Sequence, residues 1–118
     1  MEKFSVSLPL MGEYLTTVRL TVGGLCSLMD FDVELAEDYK VCVTESLLIL
    51  KRNGFLHADL LFTVGETLAC AVCGKDLGGE KDAGIENEIS RSLLGALLGK
   101  VEFVEDNNGN VEKIVFEG

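Results

Sequence analysis

Residues 11 to 53 hold two helical stripes in succession, and nothing else in the chain restricts the fold as much. Met11, Leu15, Val18, Val22, Leu25 and Met29 recur every three or four residues, which places them on one face of a helix. Asp30-Phe31-Asp32 breaks the pattern, and a second helix follows over about 33–53. Leu35/Ala36, Tyr39, Val43, Leu47 and Leu50 form its core stripe. Val41, Glu45, Leu48, Ile49 and Arg52 lie on a neighbouring face at i, i+4 and i+7 spacings. Asp32 is placed to cap this helix, with Glu34, Glu37 and Asp38 near its positive end. Asn53-Gly54 ends it through a left-handed cap. Gly23-Gly24 inside the first helix costs roughly 1 kcal/mol per glycine against alanine, so another element is expected to pack close there.

The rest of the chain reads mainly as strands. Residues 3–8 alternate Phe4, Val6 and Leu8 with Lys3, Ser5 and Ser7, a strand with one buried face, and Pro9 ends it. Two strands, 55–64 and 67–73, flank the two-residue hairpin signal Gly65-Glu66. The second is apolar on both faces and is expected to be central. Residues 74–84 read as a glycine-rich, charged loop. Ile85, Ile89, Leu93 and Ala96/Leu97 make a third helical stripe. Val101–Glu105 and Val111–Glu117 are strands joined by the turn Asp106-Asn107-Asn108-Gly109-Asn110. The expected order is β-α-α-β-β-α-β-β. It predicts an α/β (α+β) two-layer sandwich, with helices over one face of a mixed, mostly antiparallel sheet. Residues 1–118 are expected to form one domain.

Composition narrows the function. The chain has 118 residues, 47% hydrophobic, with a mean hydropathy of +0.29, which argues against disorder. Twenty acids against ten bases give a net charge of -10. Phosphate backbones are repelled by such a chain, so nucleic acid is not an expected partner. No apolar run approaches the ~20 residues needed to span a bilayer, and Met1-Glu2-Lys3-Phe4 has neither a basic n-region nor a cleavage site. A cytoplasmic protein without a membrane segment is expected. Cys26, Cys42, Cys70 and Cys73 read as buried free thiols. Cys70 and Cys73 lie on a strand at i and i+3, which point to opposite faces, so no zinc or redox pair is expected. His57, the only histidine, opens an apolar strand and reads as a packed or edge residue.

Glu13-Tyr14, Arg19-Leu20-Thr21-Val22-Gly23-Gly24 and Asp38-Tyr39-Lys40-Val41-Cys42-Val43-Thr44-Glu45-Ser46 carry a resemblance over about residues 9–53. This layout resembles the bacterial anti-sigma factor serine/threonine kinases, members of the histidine-kinase-like ATPase (GHKL) superfamily. The element order matches that family end to end. The resemblance implies the histidine-kinase-like ATPase fold. It places Glu45 where the family's general base acts on a serine of the partner. It also exposes departures. The family's magnesium-ligating asparagine, four residues on, is Ile49 here, and magnesium needs hard oxygen ligands. A further position that often holds histidine is Asn53. The D-x-G motif whose aspartate reads the adenine amino group falls on Cys73-Gly74-Lys75, which lacks a carboxylate. Asp76-Leu77-Gly78 has the right letters about three residues late. The phosphate-cradling glycine turn is reduced to Gly84-Ile85-Glu86-Asn87-Glu88, with one glycine and two acids.

The expectation drawn from the resemblance is a regulatory binding protein, not an enzyme. It would hold a sigma factor or an anti-anti-sigma (STAS) protein, with ATP binding lost and no metal site. The alternative is an active ATP-dependent serine/threonine kinase using Mg-ATP, with Glu45 as base and Asn53, Asp76 and Gly78 at the nucleotide. A third option is an adaptor of this fold with unrelated partners. Arg19 falls where the family's arginine engages the partner, with Glu13 nearby; partner contact and a local salt bridge to Glu13 or Glu45 both remain open. Glu45 itself can also be a solvated helix residue beside Arg52. Met11, Leu15, Leu28 and Met29 add apolar surface that a homodimer would cover.

Overall fold

A computed structural model describes residues 2–82 and 84–118. The first strand, β1 (Glu2–Pro9), leads through a 3-10 turn (Gly12–Tyr14) into helices α1 (Leu15–Leu28) and α2 (Val33–Arg52). A long hairpin follows, β2 (Asn53–Val64) and β3 (Leu68–Lys81). Helix α3 (Ile85–Leu98) then leads to the closing hairpin, β4 (Val101–Glu105) and β5 (Val111–Glu117). The five strands form one sheet in the order β1-β2-β3-β5-β4. The architecture is α+β, five antiparallel strands and three helices.

Every neighbouring pair is antiparallel, which corrects the expected mixed sheet. The reason is topological. The crossover through α3 sets β4 parallel to β3, but β5 inserts between them and runs against both. The Asp106 turn makes that insertion possible. The Asp106 carboxylate accepts bonds from the Asn108 and Asn110 amides and from Asn110 Nδ2, at 2.8 to 3.0 Å. Those bonds, the Asn110 side chain foremost, hold its pKa below the usual aspartate value.

α2 is the centre of the core. Tyr39, Val43, Leu47 and Leu50 are buried against Ala58, Leu60 and Phe62 of β2, Leu68, Cys70 and Val72 of β3, and Ile114 and Phe116 of β5. Burying a leucine or phenylalanine of this kind contributes about 1.5–3 kcal/mol. Tyr39 sits edge-on to Phe116 at 5.4 Å, and its hydroxyl donates to the Leu68 carbonyl at 2.8 Å. Asp32 caps α2 as expected, accepting from the Leu35 amide at 2.8 Å. Cys26, Cys42 and Cys70 are buried free thiols, while Cys73 lies on the opposite face of β3 and is half-buried. Among the described residues, no helix is long and apolar enough to cross a membrane.

Three expectations fail in the second half of the chain. Residues 74–81 are not a loop: β3 continues to Lys81, with Lys75 opposite His57 and Leu77 opposite Phe55; Ala83, within the expected loop, lies outside the described residues. The tight turn before it has three residues, since Val64 pairs with Leu68. The third helical stripe is also misplaced. Ile85 and Ile89 are 73% and 61% exposed, whereas Asn87, Ser90 and Leu94 are buried. The first two turns of α3 make polar contacts with α2, through Glu86, Asn87 and Ser90.

Candidate functional site

The polar seam between α2 and α3 brings together the residues with most chemistry. Ser90 Oγ donates to Glu45 Oε2 at 2.7 Å and accepts from Arg52 Nη1 at 2.9 Å. The same Nη1 reaches Asn87 Oδ1 and the Glu86 carbonyl, each at 3.4 Å, and Arg52 Nε lies 3.6 Å from the Glu86 carboxylate. One hydroxyl thus bridges a cation and an anion. Both hydrogen bonds are charge-assisted, the stronger class. Among the described residues no buried side-chain polar atom lacks a partner, so the seam is satisfied as it stands. Glu45 is therefore not simply solvated beside Arg52. The two meet through Ser90.

Asn53 is equally committed. Its Nδ2 donates to the Ile49 carbonyl at 2.7 Å, and its Oδ1 accepts from the Val111 amide at 3.0 Å. It ties the end of α2 to the start of β5. Asp76 is elsewhere, at φ +59 in β3, with its carboxylate 2.7 Å from His57 Nδ1 on an exposed stretch. Gly78 faces Leu56, whose Cδ1 lies 3.5 Å from where a Cβ would sit. The structure does not gather Asn53, Asp76 and Gly78 into one cavity.

Whether Mg-ATP suits these positions can be judged from the side chains. Ile49, at the metal-ligand position, has no oxygen and is fully buried in the core. Glu45 Oε2 accepts a hydrogen bond from Ser90, and Asn53 has both ends bonded to backbone. Among the described residues no group of three or more His, Cys, Asp or Glu is placed to hold a metal ion. Ile49 gives magnesium no oxygen at the position where the resemblance expects one.

Arg19 lies on α1 at the edge of its groove with α2. Its Nε donates to Thr44 Oγ1 at 3.1 Å, and Thr44 Oγ1 donates in turn to the Lys40 carbonyl at 2.9 Å. The salt bridge to Glu13 or Glu45 does not form. Arg19 makes no ion pair among the described residues, and Glu13 is exposed on the 3-10 turn. Arg19 borders a shallow hollow of about 240 Å³ with Thr16, Leu20 and Val41. Gly23 allows the two helices to approach, since a Cβ there would meet Lys40 Cε at 3.2 Å. Gly24, by contrast, faces open space.

Thr44, Asn87 and Ser90 escaped the sequence reading. The three-residue spacing of Asn87 and Ser90, with Leu94 four further on, was the available signal. The isoleucines beside them masked it. No family model matches the chain, and no curated protein matches it.

Proposed function

We propose that this chain is an anti-sigma-factor-like regulatory protein with a histidine-kinase-like ATPase fold. It binds a sigma factor or a STAS-type anti-anti-sigma protein in the cytoplasm and pairs with a second copy of itself. It has given up ATP. The observation that carries the reading is the closed state of the second helix's functional face: Ile49 is a fully buried core residue, and the Glu45 carboxylate is bonded to Ser90. A general base must reach the substrate hydroxyl, and here Glu45 Oε2 accepts a hydrogen bond from Ser90 of α3. Arg19 supports the partner side of the reading. It is exposed, lacks an ion pair among the described residues, and can meet an acid on a partner; charged pairs desolvated on binding can contribute several kcal/mol.

One experiment with two arms tests this. A ligand that binds only the folded chain stabilises it by about 2.7 kcal/mol at a hundredfold excess over Kd. Thermal melts with and without millimolar Mg-ATP should coincide; a magnesium-dependent rise in Tm overturns the loss of ATP and restores the kinase. In the second arm, Arg19→Ala should melt like the parent. It should bind a cognate sigma factor or STAS protein about tenfold more weakly, about 1.4 kcal/mol. Unchanged affinity moves the partner surface away from α1.

A further inference from the structure

The end of α2 and the far half of β3 enclose a cleft of about 400 Å³ that the partner reading does not use. Its size falls within the range of small-molecule sites, roughly 300–1,000 Å³. Leu10, Leu48, Phe55 and Leu56 line it with apolar surface. Lys51, Glu80 and Asp82 stand around it, and none of the three is in an ion pair among the described residues. Arg52 also borders the cleft, but its guanidinium is engaged by Ser90 and α3.

The wall carrying Glu80 is built by an irregularity in the sheet. Asn53 pairs with Lys81 and Phe55 with Leu77, so Gly54 alone faces residues 78–80. Gly54 adopts φ +93, a backbone conformation open mainly to glycine. A Cβ at Gly54 would stand 3.1 Å from the Gly79 carbonyl oxygen, and one at Gly79 would stand 3.1 Å from the Gly54 carbonyl oxygen. Only two glycines let the strands come this close. Bulges of this type re-aim side chains and recur beside binding sites.

We propose that this cleft binds a free α-amino acid with an apolar side chain, its ammonium between Glu80 and Asp82, its carboxylate at Lys51 and its side chain on Leu48 and Phe55. The charge pattern selects this class. A simple anion would meet two carboxylates, and a simple cation would leave Lys51 unmatched. A zwitterion answers both, and the leucine and phenylalanine surface takes the side chain.

The test is an amide NMR titration of the full chain with leucine, leucinamide and N-acetyl-leucine, each to millimolar concentration. Leucine is expected to move the Leu48, Lys51, Gly79 and Glu80 amides saturably, with the two singly charged analogues roughly tenfold weaker or worse. K51M and the double variant E80Q/D82N should each lose leucine affinity by a similar factor while melting like the parent. Absence of a saturable leucine response overturns the proposal. So does leucinamide or N-acetyl-leucine binding as tightly as leucine, or leucine affinity unchanged in both variants.

Discussion

Ser90 shows how one small side chain decides what a larger neighbour can do. By donating to Glu45 and accepting from Arg52, it makes a potential base into a fastening for α3. Replacing it with alanine leaves a half-buried carboxylate and guanidinium without their shared partner. Leaving such groups unsatisfied costs about 1–3 kcal/mol. Ser90→Ala is expected to lower the urea midpoint accordingly. Combined with Arg52→Ala the losses should be non-additive, as they are for residues in one network. Equal and additive effects would show that the bridge does not act as a unit. In the sequence Ser90 looks like any solvent-facing serine on an amphipathic helix, and only the approach of α2 gives it two charged partners. Glu45 stood out because it interrupts an apolar run.

At the scale of elements, the hairpin and α3 diverge most from their composition. Residues 74–84 contain Gly74, Gly78, Gly79 and Gly84 with five charged residues, which local propensity assigns to a loop. The ladder with β2 overrides it, because strand preference is set largely by the neighbouring strand and the packing it offers. Gly74 has a specific place in that ladder. A Cβ there would lie 2.6 Å from Phe55 Cγ, and the Phe55 ring is 7% exposed, hence held in place. Gly74→Ala is therefore expected to destabilise by about 1–3 kcal/mol, the usual cost of overpacking, read as a lower Tm. Gly24→Ala, inside α1 with open space around it, should not lower Tm, since alanine is the better helix former. Similar shifts for both would mean that the Phe55 contact is not the cause. For α3, the isoleucine stripe has the right period and the wrong direction. Period fixes that a helix forms, while the polar docking onto Arg52 fixes which side turns inward.

The whole molecule buries several groups that resist ionisation. Burial raises the Cys42 pKa to about 12, raises those of Cys26 and Cys70, and lifts the Tyr39 hydroxyl far above an ordinary phenol. In the unfolded chain these groups titrate at about 8.5 for cysteine and about 10 for tyrosine. A raised folded pKa means that the stabilisation is complete below the unfolded value and is lost as pH climbs towards the folded one. Denaturation midpoints should hold steady to about pH 8 and fall steadily above it. A flat profile to pH 10.5 would count against burial of these groups.

What the chain determined by itself is local. The caps at Asp32 and Asn53-Gly54, the periods of α1 and α2, the bounds of the last hairpin and the opposed faces of Cys70 and Cys73 all depend on residues within a few positions of one another. Short-range sterics and hydrogen bonding suffice to write them. Only the tertiary structure decided the rest: the insertion of β5 beside β3, the length of β3, the inward face of α3, and the pairing of Arg19 with Thr44 and not with an acid. These depend on distant neighbours, 25 residues away in sequence for the Arg19–Thr44 bond and 45 for the Ser90–Glu45 bond. At such separations the pattern of one segment carries no information about which surface will be brought against it.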